Sequence, residues 1–180
     1  MDYRALLAGE LARHGAVKRG VFTLSSGRTS DIYIDLRSVP GKPHLYKLAL
    51  SLLYAEAYPI LDRIEAILGV ATGGIPWAAG LSMLSGLPAG YVRKGRKHHG
   101  TGRSVEGPGP CRALLVDDVA TTGGSLASAV EALRGEGYSV EYAVVVVDRE
   151  EGARERLSSL GVELRSVLTL STIRRLSWTS

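Results

Sequence analysis

Asparagine and glutamine are absent from this chain of 180 residues, which holds a single cysteine, a single phenylalanine and four histidines. Ordinary usage would place on the order of ten amide side chains in this length, and their depletion is a thermophile trait. The lone Cys111 excludes an internal disulfide and any zinc site of the usual Cys/His spacing. It is most simply a small residue entering a strand, and a reducing, cytoplasmic setting fits. Long apolar runs are also missing. The N-terminal stretch MDYRALLAGELARHG carries charge throughout and lacks the apolar core of a signal peptide, so no membrane association is expected. With 45% hydrophobic residues the chain can bury one sizeable core, and a single domain over 1–180 is expected.

Positive charge is in excess, with a formal net charge of +4 and a pI near 9.3. Much of it is concentrated: Arg93, Lys94, Arg96, Lys97 and Arg103, with His98 and His99, lie in one short stretch studded with glycines and followed by Pro108 and Pro110. The pattern predicts an exposed basic loop with an anionic partner.

Elsewhere strand and helix patterns alternate. Apolar runs AILGVA (66–71), AGYVRK (89–94), RALLVDD (112–118), EYAVVVVDR (141–149) and VELRSVLTL (162–170) read as strands. IPWAAGLSMLSG, SLASAVEALRGEG and EEGARERLSSLG read as the helices between them. Continuous apolar strands joined by helices indicate an α/β fold, a mostly parallel sheet flanked by helices, over about 61–170. Residues 1–60 differ: an N-terminal helix, a polar strand pair around VFTLSSGRTSDIYIDLR and a helix near HLYKLALSLLYAEAY form an appendage on that core.

The stretch LLVDDVATTGGS ends an apolar strand in two aspartates and turns through hydroxyls and glycines into a helix. Glycines and hydroxyls before a helix offer unpaired N–H groups and the positive end of the helix dipole, which suits a phosphate. Asp117 and Asp118 would repel that phosphate, so they face sugar hydroxyls or a metal ion. A phosphorylated sugar meets both demands. A P-loop is absent, since GYVRKGRK has Arg96 where lysine belongs, and no G-x-G-x-x-G lies between a strand and a helix.

LLVDDVATTGGS resembles the 5-phosphoribosyl-1-pyrophosphate signature of type I phosphoribosyltransferases. FTLSSGRTSDIYIDLR (22–37), VATGGIPWA (70–78), YVRKGRKHHGTGRSVEG (91–107) and DREEG (148–152) resemble the orotate phosphoribosyltransferase branch, in the expected order and with no room for a fused decarboxylase. The resemblance implies a type I phosphoribosyltransferase fold with a small N-terminal hood. It implies Mg2+-dependent transfer of phosphoribose to orotate, giving orotidine 5'-monophosphate and pyrophosphate in pyrimidine biosynthesis.

Carried onto this sequence, it has Asp117 and Asp118 hold the ribose hydroxyls and any associated magnesium. Val119 and Ala120 lead into Thr121, Thr122, Gly123, Gly124 and Ser125, which wrap the 5-phosphate. Thr72, Gly73 and Gly74, after Ala71, receive pyrophosphate. Arg93, Lys94, Lys97 and His99 belong to a catalytic loop that closes over it, and Arg149 meets the orotate carboxylate. Ser25, Ser26, Gly27 and Thr121 border the orotate.

Three positions depart from the family pattern: Ser25 and Gly73 stand where lysine is often found, and Asp31 where proline is common. Tyr33, Tyr91 and Trp77 are expected to be packing residues. The resemblance further implies a homodimer whose loops complete each other's sites, with no nucleic acid bound. Two rivals remain at this stage: a phosphoribosyltransferase for another base, disfavoured by the hood and DREEG, and a phosphoribosyl-pyrophosphate-sensing DNA-binding regulator, for whose added helix-turn-helix the residues before Val21 are too few.

Overall fold

The computed structural model describes residues 2–23, 29–93 and 104–176. Helix α1 (Tyr3–Arg13) begins at Asp2, whose carboxylate accepts from the amides of Arg4 and Ala5 and so satisfies donors that the first turn leaves open. The expected polar strand pair follows as an antiparallel ribbon, β1 (Val17–Thr23) and β2 (Thr29–Ile34), with Val17 opposite Ile34. Helix α2 (Pro43–Ala57) carries proline in its first turn, where no N–H is needed.

The core sheet contains β3 (Ala66–Val70), β4 (Ala89–Val92), β5 (Val105–Glu106), β6 (Arg112–Ala120), β7 (Ser139–Asp148) and β8 (Glu163–Thr169). Its order is β5-β4-β3-β6-β7-β8, and all pairs are parallel except β4 with β5. The connecting helices are α3 (Gly74–Ser85), α4 (Gly124–Gly135) and α5 (Ala153–Ser159), and α6 (Leu170–Leu176) follows β8. After β3 the chain moves outward to β4, then returns to place β6 on the opposite side of β3. That reversal is a topological switch point, where the loops leaving neighbouring strands diverge and open a crevice.

Both faces of the sheet are covered, as the continuous apolar runs require. Alternate residues of β6 divide between them: Leu114 and Val116 join one buried cluster, Ala113 and Leu115 the other. The second cluster is closed by Leu126 and Leu133 of α4 and Leu157 of α5. The first is closed by Trp77 and Leu81 of α3 together with Leu7 and Leu11 of α1 and Leu45 and Leu53 of α2. The two N-terminal helices, expected as parts of an appendage, therefore supply much of one face of the core, each buried leucine contributing about 1.5–3 kcal/mol.

Several boundaries differ from the sequence reading. Strand β6 runs on to Ala120 because β7 continues to pair with it, Asp117 opposite Val145 and Ala120 opposite Asp148. The aspartate pair thus lies within the strand. Strand β4 stops at Val92, and Leu170, read as strand, begins α6.

Candidate active site

Two loops flank the switch point between β3 and β6. The first, Ala71-Thr72-Gly73, contains a cis Ala71–Thr72 peptide and enters α3 at Gly74. Glycines are demanded here by close approach. A Cβ at Gly74 would lie 2.3 Å from the Val116 carbonyl oxygen of β6, and one at Gly69 would lie 2.7 Å from the Gly74 oxygen. A Cβ at Gly73 would lie 2.6 Å from Asp118 Oδ1, so the first loop presses directly on the acidic pair.

The second loop leaves β6 through Thr121 and Thr122 and enters α4 at Gly123, whose φ of +75° suits glycine. No side chain caps α4, which leaves its first N–H groups facing the crevice without helical partners. Asp117 is buried and Asp118 half-buried. Asp117 Oδ1 accepts from the Asp118 amide at 2.9 Å, and Asp118 Oδ1 accepts from the Val119 amide at 2.8 Å. These local bonds fix both carboxylates.

Together the loops line a cleft of about 840 Å³ whose walls include Thr72, Gly73, Asp117, Asp118 and the whole run from Val119 to Ser125. The opposite wall is the segment from Tyr33 to Arg37, at and beyond the end of β2, and Arg149 completes it. Tyr33, expected to be a packing residue, does pack on Phe22, with ring centroids 5.3 Å apart, but it also borders the cleft. Asp35 and Arg37 were missed by the sequence reading. Their signal was the alternation in IYIDLR, which puts two charges two residues apart at the end of a strand. They form a fork, Arg37 Nε to Asp35 Oδ1 at 2.8 Å and Nη2 to Oδ2 at 2.9 Å. That fork holds the Asp35 carboxyl below the usual carboxylate range. The same bonds and charge raise the Arg37 guanidinium, and Asp118, which shares the cleft, adds to the effect.

Arg149 is nearly buried, its side chain 5% exposed. Its Nε donates to Glu151 at 2.8 Å, Nη2 to Ser30 Oγ at 3.1 Å and Nη1 to the Ile32 carbonyl at 3.4 Å. The residue therefore ties the ribbon to the core sheet. Of the five N–H groups of a guanidinium, three are engaged by these bonds and two have no partner among the described residues.

Arg93 is not among the walls of the cleft. Its Nη2 pairs with Glu106 of β5 at 2.9 Å, and its guanidinium sits 5.5 Å from the Tyr91 ring centroid. Gly74 is buried against β6 rather than lining the cleft. Trp77 is fully buried and packs on Tyr46, as expected. Ser25, Ser26, Gly27, Lys94, Lys97 and His99 lie outside the described residues.

Residues 61–160 match the phosphoribosyl transferase domain family. Orotate phosphoribosyltransferase of Aeropyrum pernix is 52% identical over 175 residues, covering 96% of this chain and 94% of that protein. The chain belongs to the orotate phosphoribosyltransferase family. The orotate phosphoribosyltransferase of Methanopyrus kandleri is 44% identical over 174 residues, 96% of this chain and 93% of its own length. Among solved structures, the A. pernix orotate phosphoribosyltransferase superposes with a TM-score of 0.87 at 49% identity, covering 97% of this chain and 99% of that one. Orotate phosphoribosyltransferase of Mycobacterium tuberculosis, solved in complex with 5-phospho-α-D-ribosyl 1-diphosphate, gives a TM-score of 0.75 at 33% identity over 96% of this chain and 99% of its own.

The donor set at the acidic pair suits a hard cation. Carboxylate oxygens set at the edge of an open cleft leave room for the waters and phosphate oxygens that magnesium keeps around itself.

Proposed function

We propose that this cleft transfers the phosphoribosyl group of 5-phosphoribosyl-1-pyrophosphate to orotate, giving orotidine 5'-monophosphate and pyrophosphate. The observation that carries the reading is the joining of two opposite demands in one cleft: an acidic pair on β6 beside the uncapped N-terminus of α4. The first suits sugar hydroxyls, the second a phosphate.

In this reading Asp117 and Asp118 hold the ribose 2- and 3-hydroxyls, and the amides and hydroxyls from Thr121 to Ser125 surround the 5-phosphate. Thr72 and Gly73 offer backbone and hydroxyl groups to pyrophosphate. The bond from ribose C1 to pyrophosphate breaks with its electron pair leaving on oxygen, C1 gains oxocarbenium character, and the orotate ring nitrogen attacks from the other face, its N–H proton passing to the departing pyrophosphate or to water. Magnesium held at Asp117 and Asp118, directly or through water, would neutralise charge on the leaving group.

The two spare N–H groups of Arg149 face the orotate carboxylate, while Glu151 and Ser30 keep the guanidinium from turning. Thr121 and the segment Ser25 to Gly27 border the same base. Lys94, Lys97 and His99 bring cations to the developing pyrophosphate. Positioning and exclusion of water account for most of the catalysis. The working form is a homodimer in the cytoplasm, and the missing amides fit a thermophilic host.

Product analysis with orotate, activated ribose phosphate and Mg2+ tests this. Stoichiometric orotidine 5'-monophosphate and pyrophosphate are expected, with uracil and adenine left unconsumed. Conversion of either of those bases in preference to orotate would sink the assignment.

A further inference from the structure

Away from the cleft, three side chains have the arrangement of a ligand set. Glu10 and His14 stand four residues apart, on one face at the end of α1, and His44 lies in the first turn of α2. One ligand atom from each lies within 4.8 Å of the others. The two imidazole Nε2 atoms are 3.4 Å apart, and His14 Nε2 is 3.4 Å from Glu10 Oε2. Nitrogen and oxygen donors at zinc's usual distance of about 2.0–2.1 Å are separated by the edge of a tetrahedron, about 1.63 times longer, or about 3.3–3.4 Å. Both separations match that edge. As a hydrogen bond between two imidazoles, 3.4 Å is beyond the usual range.

The neighbours hold this geometry without occupying it. Arg13 pairs with Glu10 through the other carboxylate oxygen, Oε1, leaving Oε2 turned to the histidines. Lys42 donates to the His14 backbone carbonyl at 2.7 Å, which fixes the end of α1 against the start of α2. Leu11 and Leu45, one on each helix, are buried in the same core cluster. Imidazoles with one carboxylate suit zinc, in contrast to the oxygen donors of the acidic pair.

We propose that Glu10, His14 and His44 bind one zinc ion, with water in the fourth position, as a clip between α1 and α2. The clip lies at the root of the ribbon. His14 is two residues before Ala16, whose carbonyl accepts from the Asp35 amide at 2.8 Å. Binding at this site therefore steadies the start of β1 and, through Asp35, the Tyr33–Arg37 wall of the cleft.

The test is metal titration of the chelator-treated full chain, with Mg2+ in excess throughout to fill hard-cation sites. Zn2+ is followed by calorimetry, and Co2+ by the visible absorption of a tetrahedral complex. One equivalent of each is expected, with Zn2+ displacing Co2+ and raising the midpoint of thermal unfolding. His44→Ala, at an exposed position, should leave the metal-free midpoint unchanged and weaken Zn2+ by about tenfold or more; Glu10→Gln should weaken it too. His98→Ala with His99→Ala should bind as the wild type does. Failure of the wild type to bind one equivalent, equal affinity in His44→Ala, or loss of binding only in the His98/His99 variant would each overturn the site.

Discussion

A guanidinium already held by a carboxylate, a hydroxyl and a carbonyl meets a substrate differently from a free one. Arg149 spends three N–H groups on Glu151, Ser30 and Ile32, so its orientation is set before orotate arrives and little rotamer entropy remains to be lost. Lysine cannot reproduce that fork. Arg149→Lys is expected to raise the KM for orotate by a factor corresponding to about 1.5–3 kcal/mol, the range for a hydrogen bond to a charged group. The KM for the activated ribose phosphate should change little. Steady-state kinetics with each substrate varied in turn decide this. Equal weakening of both substrates would leave Arg149 as a tie between ribbon and sheet and nothing more. Arg37 is a contrasting case: its fork to Asp35 is exposed, and an exposed ion pair adds little to stability, so its place on the cleft wall matters more than its contribution to the fold.

Among the elements, the central strands β3, β6 and β7 were legible as continuous apolar runs, because the middle of a parallel sheet is covered on each side. Strand β5 was not legible. It is two residues long and owes its existence to pairing of Val105 with Val92, a contact across the basic loop that no local pattern encodes. Helix α6 went unread, and its first residue Leu170 was taken as strand because VLTL continues a strand pattern, yet a cap was present: Thr169 Oγ1 accepts from the Thr172 amide at 3.2 Å. The loop from Thr121 to Ser125 was legible in residue type, but its packing was not. Gly123 has φ +75°, and a Cβ there would lie 2.9 Å from the Ala153 Cα at the start of α5. Gly124, its neighbour, would meet the far end of Arg156 at 3.4 Å and Thr122 Oγ1 at 3.7 Å, neither of them backbone. Gly123→Ala is therefore expected to destabilise the protein by about 2 kcal/mol or more, from left-handed backbone strain together with the collision. A fall in the thermal midpoint of about 4 °C or more would follow for a chain of this size. Gly124→Ala should stay within about 0.5 kcal/mol. Matching midpoints for the two variants would remove the packing argument.

For the whole molecule, the charge of the cleft poses a question that the described residues do not answer. Among the described residues its walls carry Arg37 and Arg149 but neither lysine nor histidine, and Arg37 is already neutralised by Asp35. Pyrophosphate leaves with several negative charges, so cations must come from elsewhere, and Lys97 and His99 are the residues proposed to bring them. In a two-fold dimer they can be delivered across the interface. To test this, a subunit carrying Lys97→Ala is mixed with one carrying Asp117→Asn and Asp118→Asn, each nearly inactive alone. If the loop acts in trans, every heterodimer holds one site with both defects and one with neither. Random assortment makes about half of the dimers heterodimers, so activity should recover to about a quarter of the wild-type value. The same mixture stays near the parental level if each loop serves its own subunit, because every site then keeps one defect. Native mass spectrometry of the mixture separates that outcome from failure to exchange subunits. Inactive heterodimers, present at the expected half, would place Lys97 over the acidic pair of its own chain and leave the dimer a role in stability alone.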